Sequence, residues 1–421
     1  MGKKVDNSYL KLTIKQKNKL LKSFGVKNME DVETAVLKHF KECLKKVTDA
    51  RQQWKISYKI WDIICYVIIA NFSDVYDWEE IADFVEMKKD FFKKFLKMTG
   101  GVPSPQTIER VFSLINPKEL ESILNEFLLN YINPNPLEKE IINFDGRVDR
   151  GSSRNKTEYS EKIKPLNCLN AYSNNYGICI GTEMIEDKTN EIPTIPILLD
   201  RLNVKDTIIT WDALNTQTAN VKKVIECKAD YVVPIKGNQK NFYEDLKLYF
   251  NDKKLETIIA GNIHSTYKKE LEKSHSAMII YEYFQTEDVS WYQDKNSWLK
   301  LHSIGLVKKT TIKNGETNIE ERYYISSLFL NIELFSKAIR NQWSVENKLH
   351  WHLDFTFRED QNTTKNKNAL LNLQIVNKFV LGVLTKVKDF YTGLSLKKIR
   401  KLISFDFETN FINLICYLLL K

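Results

Sequence analysis

Glu140-Ile-Ile-Asn-Phe-Asp-Gly146 is the stretch at which the helical periodicity of the chain gives way to β-type patterning. Its β-branched and aromatic residues, like those of Leu166 to Tyr172 and Tyr176 to Met184, read as strands separated by Ser, Asn and Gly turns. Ile195-Pro-Ile-Leu-Leu-Asp-Arg-Leu202 then reads as a short helix and Thr207-Ile-Ile-Thr-Trp-Asp212 as a buried strand. Thr216 to Glu226 is a further helix and Asp230-Tyr-Val-Val-Pro-Ile235 a further strand. Asp145 and Asp212 fall at the ends of two of these strands, where a carboxylate is held well enough to serve as a metal ligand, although a turn or helix cap needs the same residue type. Gly146 leaves room for a phosphate backbone to approach.

Three strands followed by helix, strand, helix, strand is the order of a ribonuclease-H-like mixed-sheet α/β core. Working outward, residues 1–130 are helical in pattern and expected to bind DNA, Lys-rich over about the first 50, with Ile60 to Ala70 as a buried helix, Trp78 to Phe84 and Lys89 to Met98 helical, and Ser104-Pro105 opening a helix through Phe112. Residues 131–138, with two Pro and two Asn, form a linker. The core begins with residues 139–250, in which Asn238 caps a helix running to Phe250. Residues 251–330 alternate charged with β-branched or aromatic residues and read as a β-rich insertion. Residues 331–365 complete the core and 366–421 form a helical tail.

Arg340-Asn-Gln-Trp-Ser-Val-Glu-Asn-Lys-Leu-His-Trp-His-Leu-Asp354 reads as one helix. At roughly 100° per residue, Trp343, Glu346, His350 and Asp354 share a narrow arc flanked by Arg340, Asn347 and Trp351, with Val345, Leu349 and Leu353 alongside. An aliphatic stripe beside carboxylate, imidazole, guanidinium and indole suits a binding face, and an ordinary core helix with satisfied polar neighbours is the rival reading.

A chain of 421 residues is long enough for two or three domains. Lys and Arg number 63 against 54 Asp and Glu, a net charge of +9, which suits a polyanionic partner without requiring one. The six cysteines form no C-x-x-C pair and no Cys/His cluster with zinc spacing, so a reducing cytosol is expected rather than disulfides or structural zinc. The start has no apolar signal region, and Ile60 to Ala70 falls short of the roughly 20 residues that cross a bilayer, so no membrane partner is expected.

Several separated words raise a specific resemblance. R-x-x-W-x-V-E-N-x-L-H-W-x-L-D at 340–354 and F-R-E-D at 357–360 are similar to the C-terminal signature of the H-repeat-associated insertion-sequence transposases, whose active site is a DDE triad. W-x-E-I-A-D-F at 78–84 and V-P-S-P-x-T-x-x-R-V-F-x-x-I-x-P at 102–117 resemble the helical domain preceding that family's catalytic core. F-D-G-x-x-x-R-G-S, D-A-x-x-x-Q and K-G-N-Q complete the likeness, which covers about residues 45 to 385. It implies that Asp145, Asp212 and Glu346 are the catalytic acids and hold two divalent ions, Mg2+ or Mn2+. Asp149, Asp206, Asp354, Glu359 and Asp360 are possible helpers.

The resemblance also implies DNA contacts at Arg150, Gln217, Lys236 and Asn238, joined by Arg340, Trp343, Asn347, His350 and Trp351 on the helix. The implied activity is cleavage at element ends and strand transfer to target double-stranded DNA, by a dimer in the DNA-bound complex, in the bacterial cytoplasm with the nucleoid. A catalytically degenerate DNA-binding relic or repressor, or a metal-dependent nuclease on the same scaffold, are the alternatives. Departures from the family pattern fall mainly in the insertion, where Glu272-Lys-Ser-His-Ser-Ala-Met278 keeps His275 but lacks an expected Arg and Glu, and at Val148 and Asp149. They put the insertion's DNA contacts in doubt more than the acids.

Overall fold

The computed structural model describes residues 12–131, 138–155, 162–186, 190–261, 264–274 and 277–420. Seven helices come first: α1 (Ile14–Phe24), α2 (Met29–Leu44), α3 (Ile60–Phe72), α4 (Trp78–Met87), α5 (Lys89–Lys93), α6 (Pro105–Leu114) and α7 (Pro117–Leu129). Their starts are written in the sequence: the Asp77, Ser104 and Asn116 side chains each accept from a backbone N–H in the first turn, and Pro opens α6 and α7 where its missing N–H costs nothing. Helix α3 is buried along its whole apolar run, as expected.

The sheet follows, with β1 (Ile141–Asp149), β2 (Leu166–Ser173), β3 (Ile178–Met184), α8 (Thr194–Arg201), β4 (Ile208–Thr210), α9 (Thr218–Glu226) and β5 (Asp230–Ile235). Then come α10 (Lys240–Tyr249), α11 (Asp252–Ile259), β6 (Ser265–Ser274), β7 (Ala277–Thr286), β8 (Ser303–Lys313) and β9 (Glu316–Ser326). The nine strands form one mixed sheet in the order β3-β2-β1-β4-β5-β9-β8-β7-β6, so the strands expected as an insertion continue the central sheet through β9. Strands β1, β4 and β5 are parallel, and β4 and β5 are almost wholly buried because helices cover both faces. One face packs Ile142, Phe144, Ile209 and Val233 on α8, α9 and α10. The other packs Ile141, Ile208 and Val232 on Phe335, Ala338 and Ile339 of α12 (Ile332–Val345). Hairpin β8–β9 turns on Asn314 and Gly315, both at positive φ, which suits a two-residue loop.

The chain closes with α13 (Lys367–Val387), α14 (Leu396–Phe405) and α15 (Phe407–Leu420). Helix α13 is long and apolar enough to cross a membrane, but 89% of its apolar window is buried inside the fold, the situation of a core helix. Buried residues of α1 to α7 and of α13 to α15 form one hydrophobic cluster, which also takes in Val345, Leu349, Leu353 and Phe357. Within it the fully buried guanidinium of Arg400 donates to the carbonyls of Asn71, at the end of α3, and of Thr356.

The stretch expected as one α-helix is not one. The α-helix ends at Val345, and Glu346–His350 and His352–Thr356 are π-helical. Val345, Leu349, Leu353 and Phe357 are all buried at a strict spacing of four residues. On an α-helix each such step turns the side chain by about 40° away from the core, and the wider π turn removes most of that drift. Glu346, His350 and Asp354 share the spacing and stay in line with them.

Candidate active site

Asp145 was expected at a strand end, but β1 runs on to Asp149, so the carboxylate projects from the middle of a strand paired with β2. The parallel partner is what ends: the last β1–β4 pair is Asn143 with Thr210, and Asp145 and Asp212 each lie two residues beyond it. Parallel register therefore carries the two aspartates out in step. Asp212 also serves locally, accepting from the backbone N–H of Asn215 at 3.3 Å as the cap of a short turn. Gln342 of α12 donates to the Trp211 carbonyl, fastening the third element to the end of β4.

Glu346 and His350 face Asp145. One ligand atom from each of the three lies within 4.8 Å of the others, with His350 Nδ1 at 3.2 Å from Glu346 and 3.5 Å from Asp145. Burial pushes Asp145 up to about 7, and the charges of Glu191, Asp212 and Glu346 add to the effect. Burial pushes His350 below the usual imidazole range against the opposing pull of Glu346, so the ring is neutral near pH 7 and a nitrogen lone pair is free for a cation. Carboxylate oxygens are the donors that suit Mg2+ and Mn2+, whereas an imidazole nitrogen is a softer ligand that favours later transition metals.

The room at Gly146 is not open to a phosphate. A Cβ there would overlap Oε1 of Glu191, whose carboxylate fills the space. Sequence reasoning missed Glu191. It lies in the loop before α8, where no periodicity marks it, and reaches the site only through the tertiary fold. The buried amide of Asn215 joins it to Asp212, donating to Glu191 at 2.7 Å and to Asp212 at 2.9 Å. Arg147 was missed too. Two residues beyond Asp145, it pairs with Asp354, at 3.1 Å from Nε, and with Glu359. These two acids, candidate helpers from the sequence, are thus bound by a guanidinium.

Asp149 is buried and accepts from Gln374 at 2.9 Å, and burial with the nearby charge of Glu359 pushes it up to about 7. Asp360 accepts from the Arg150 backbone N–H. Gly151 lets the R-G-S turn pass directly over the Asp360 and Asn362 backbone. Asp206 sits at positive φ on the surface, beside Lys205.

The expected DNA contacts divide. Arg150, Lys236, Asn238 and Asn347 are exposed. Asn238 does not cap α10; it donates to the Ala213 carbonyl at 2.7 Å, and Gln239 holds the cap position without a side-chain bond. Gln217 precedes α9 instead of lying on it, and its amide is used within the fold, donating to Leu214 and accepting from Gln239. Arg340 pairs with Glu272 and lies over Tyr281, 4.2 Å from the ring centroid. Trp343 packs between Tyr281 and the Arg322 guanidinium, whereas Trp351 is 47% exposed and stacks on Phe355 at 4.7 Å. His350 is buried against the acids, facing no solvent. His275 lies outside the described residues.

Comparison with known proteins identifies the family. A family model described as transposase DDE domain matches residues 137–377, and one described as DDE_Tnp_1-associated matches residues 41–128. The chain is 32% identical over 370 residues to "Putative protein YbfL" of Escherichia coli K12, covering 87% of this chain and 95% of that one. It is 32% identical over 372 residues to "H repeat-associated putative transposase YhhI" of the same strain, again covering 87% and 95%. Against "Putative transposase YncI" of Escherichia coli O157:H7 it is 30% identical over 360 residues, covering 84% and 88%.

Proposed function

Because this chain belongs to the H-repeat-associated DDE transposase family, we propose that it cuts DNA at the ends of an insertion sequence and joins the freed 3′-hydroxyl to target DNA, by a metal-dependent DDE mechanism. The observation that carries the reading is Asp145, facing Glu346 and His350 from mid-strand with Asp212 in register beside it. The strand order β3-β2-β1-β4-β5, with only β1, β4 and β5 parallel, supports a ribonuclease-H-like core within the longer sheet.

Asp145, Asp212 and Glu346 would hold two divalent ions, Mg2+ or Mn2+, which supply activation of the attacking water or hydroxyl and stabilisation of the leaving oxygen. The chain's own contribution is placement. Gln342 ties the helix of Glu346 to the end of β4, and His350 props the Glu346 carboxylate toward Asp145. Lys236, Arg150 and Asn347 are exposed for phosphate, and the exposed face of Trp351 is available to stack on an unpaired base. Residues 1–130 add a basic helical domain for double-stranded DNA, and joining two ends calls for two copies of the chain. The work is done in the cytoplasm, on the nucleoid.

Labelled element ends incubated with Mn2+ and target DNA test the proposal. Joined products are expected. Cleavage without joining would identify a nuclease, and binding without cleavage a relic.

A further inference from the structure

Within that reading, we propose that Glu191 is a fourth carboxylate ligand of the cation held by Asp145 and Asp212. Three observations meet at this side chain. Its carboxylate occupies the place a Cβ at position 146 would take, so it lies directly against the backbone beside Asp145. Its other oxygen shares the Asn215 amide with Asp212, at 2.7 and 2.9 Å, so one buried side chain points two carboxylates to the same spot. His350, 4% exposed, faces Asp145 and Glu346 through its Nδ1 and leaves its Nε2 with no hydrogen-bond partner.

Glu191 is half-buried, with Asp212 sharing its Asn215 partner. No Lys or Arg is paired with Asp145, Glu191 or Asp212 among the described residues. The hydrogen bonds they accept come from neutral groups, the Asn215 side-chain amide on Glu191 and Asp212 and the Asn215 backbone N–H on Asp212. An acid kept this close to two others without a countercharge costs stability unless a cation joins them. Gly146 gains a new explanation: a side chain there would displace the ligand.

The test is Mn2+ binding to the purified full-length chain, read by electron paramagnetic resonance and by the rise in melting temperature that Mn2+ produces. Glu191→Gln is expected to weaken Mn2+ binding by about tenfold or more, the range seen when groups supporting a metal site are removed. Glu191→Asp should restore part of it. Gly146→Ala should act in the same direction, because the new methyl group pushes the carboxylate away, and should add nothing to Glu191→Gln. If Glu191→Gln were to fail to fold, Gly146→Ala alone would carry the test.

Wild-type Mn2+ affinity in Glu191→Gln and Gly146→Ala, with Asp145→Asn and Asp212→Asn deficient, would overturn this inference and leave the proposed function standing. Wild-type affinity in all four variants would remove the metal reading altogether, and Glu191 with it.

Discussion

Around Asp145, carboxylates from β1, the loop before α8, the end of β4 and the π-helical turn meet with one neutral amide among them. Around Arg147, two residues along the same face of the same strand, Asp354 and Glu359 meet a guanidinium, and Asn377 continues the network from Glu359 at 2.7 Å to Asn71 at 2.6 Å. Both groups draw on the same segment, with Glu346 and His350 serving the first and Asp354 the second. The contrast separates two uses of an acid. A paired and hydrogen-bonded carboxylate fixes the fold, whereas carboxylates left without a countercharge are the ones a cation from solution would join.

The largest expected effect tests the unpaired side. Glu346→Gln keeps the volume but removes the charge, so cleavage and joining of labelled ends should fall by several orders of magnitude while melting temperature and end binding persist. A fall in stability instead would mean that Glu346 belongs with the paired group.

Next comes the paired side. Arg147→Met leaves the buried Glu359 and the half-exposed Asp354 without their partner and should cost about 3–5 kcal/mol in urea unfolding, with part recovered by adding Glu359→Gln. A cost below about 1 kcal/mol, the range of exposed ion pairs, would erase the distinction between the two regions.

Smaller effects sharpen it. Trp351→Ala should weaken end binding by about 1–3 kcal/mol with an unchanged melting temperature, because its indole is exposed beside the acids. Trp343→Ala should instead lower the melting temperature, since Trp343 packs between Tyr281 and Arg322.

Asp149 belongs to the paired region yet is pushed up to about 7. Its native carboxyl keeps a proton that the unfolded chain releases near 3.8, so its contribution is complete below that pH and is lost as pH rises to about 7. Asp149→Asn should therefore melt higher than wild type at pH 8, with the difference shrinking toward pH 4.5. A constant difference across that range would assign the effect to the hydrogen bonds alone.

What the sequence made legible followed from local pattern. The alternation in β1 to β3, the buried runs of β4 and β5, and the capped starts of α4, α6 and α7 are set by near neighbours along the chain. Asp145, Asp212 and Glu346 stood out because each sits in a recognisable word. Glu191 and Arg147 did not, since their meaning depends on residues 21 to 212 positions away: Asn215 and Asp212 for the first, Asp354 and Glu359 for the second. The π turns had a trace in the four-residue spacing of Val345, Leu349, Leu353 and Phe357, which a fixed period of 3.6 obscures. Asn238 was misplaced because Asn at a helix start is so often a cap, and here the Ala213 carbonyl, in the turn after β4, takes its amide instead.

The burial of Arg400 bears on how the gene tolerates damage. Its guanidinium closes the carbonyls of Thr356 and Asn71, and the helix that carries it lies far downstream of every acid in the site. A stop codon or frameshift after α13 would spare the codon of every acid in the site and should still yield an inert product, because the end of the π-helical segment and the last turn of α3 would both lose their donor inside an opened core. An intact reading frame through Arg400 is thus as informative a mark of a working copy as an intact set of acids.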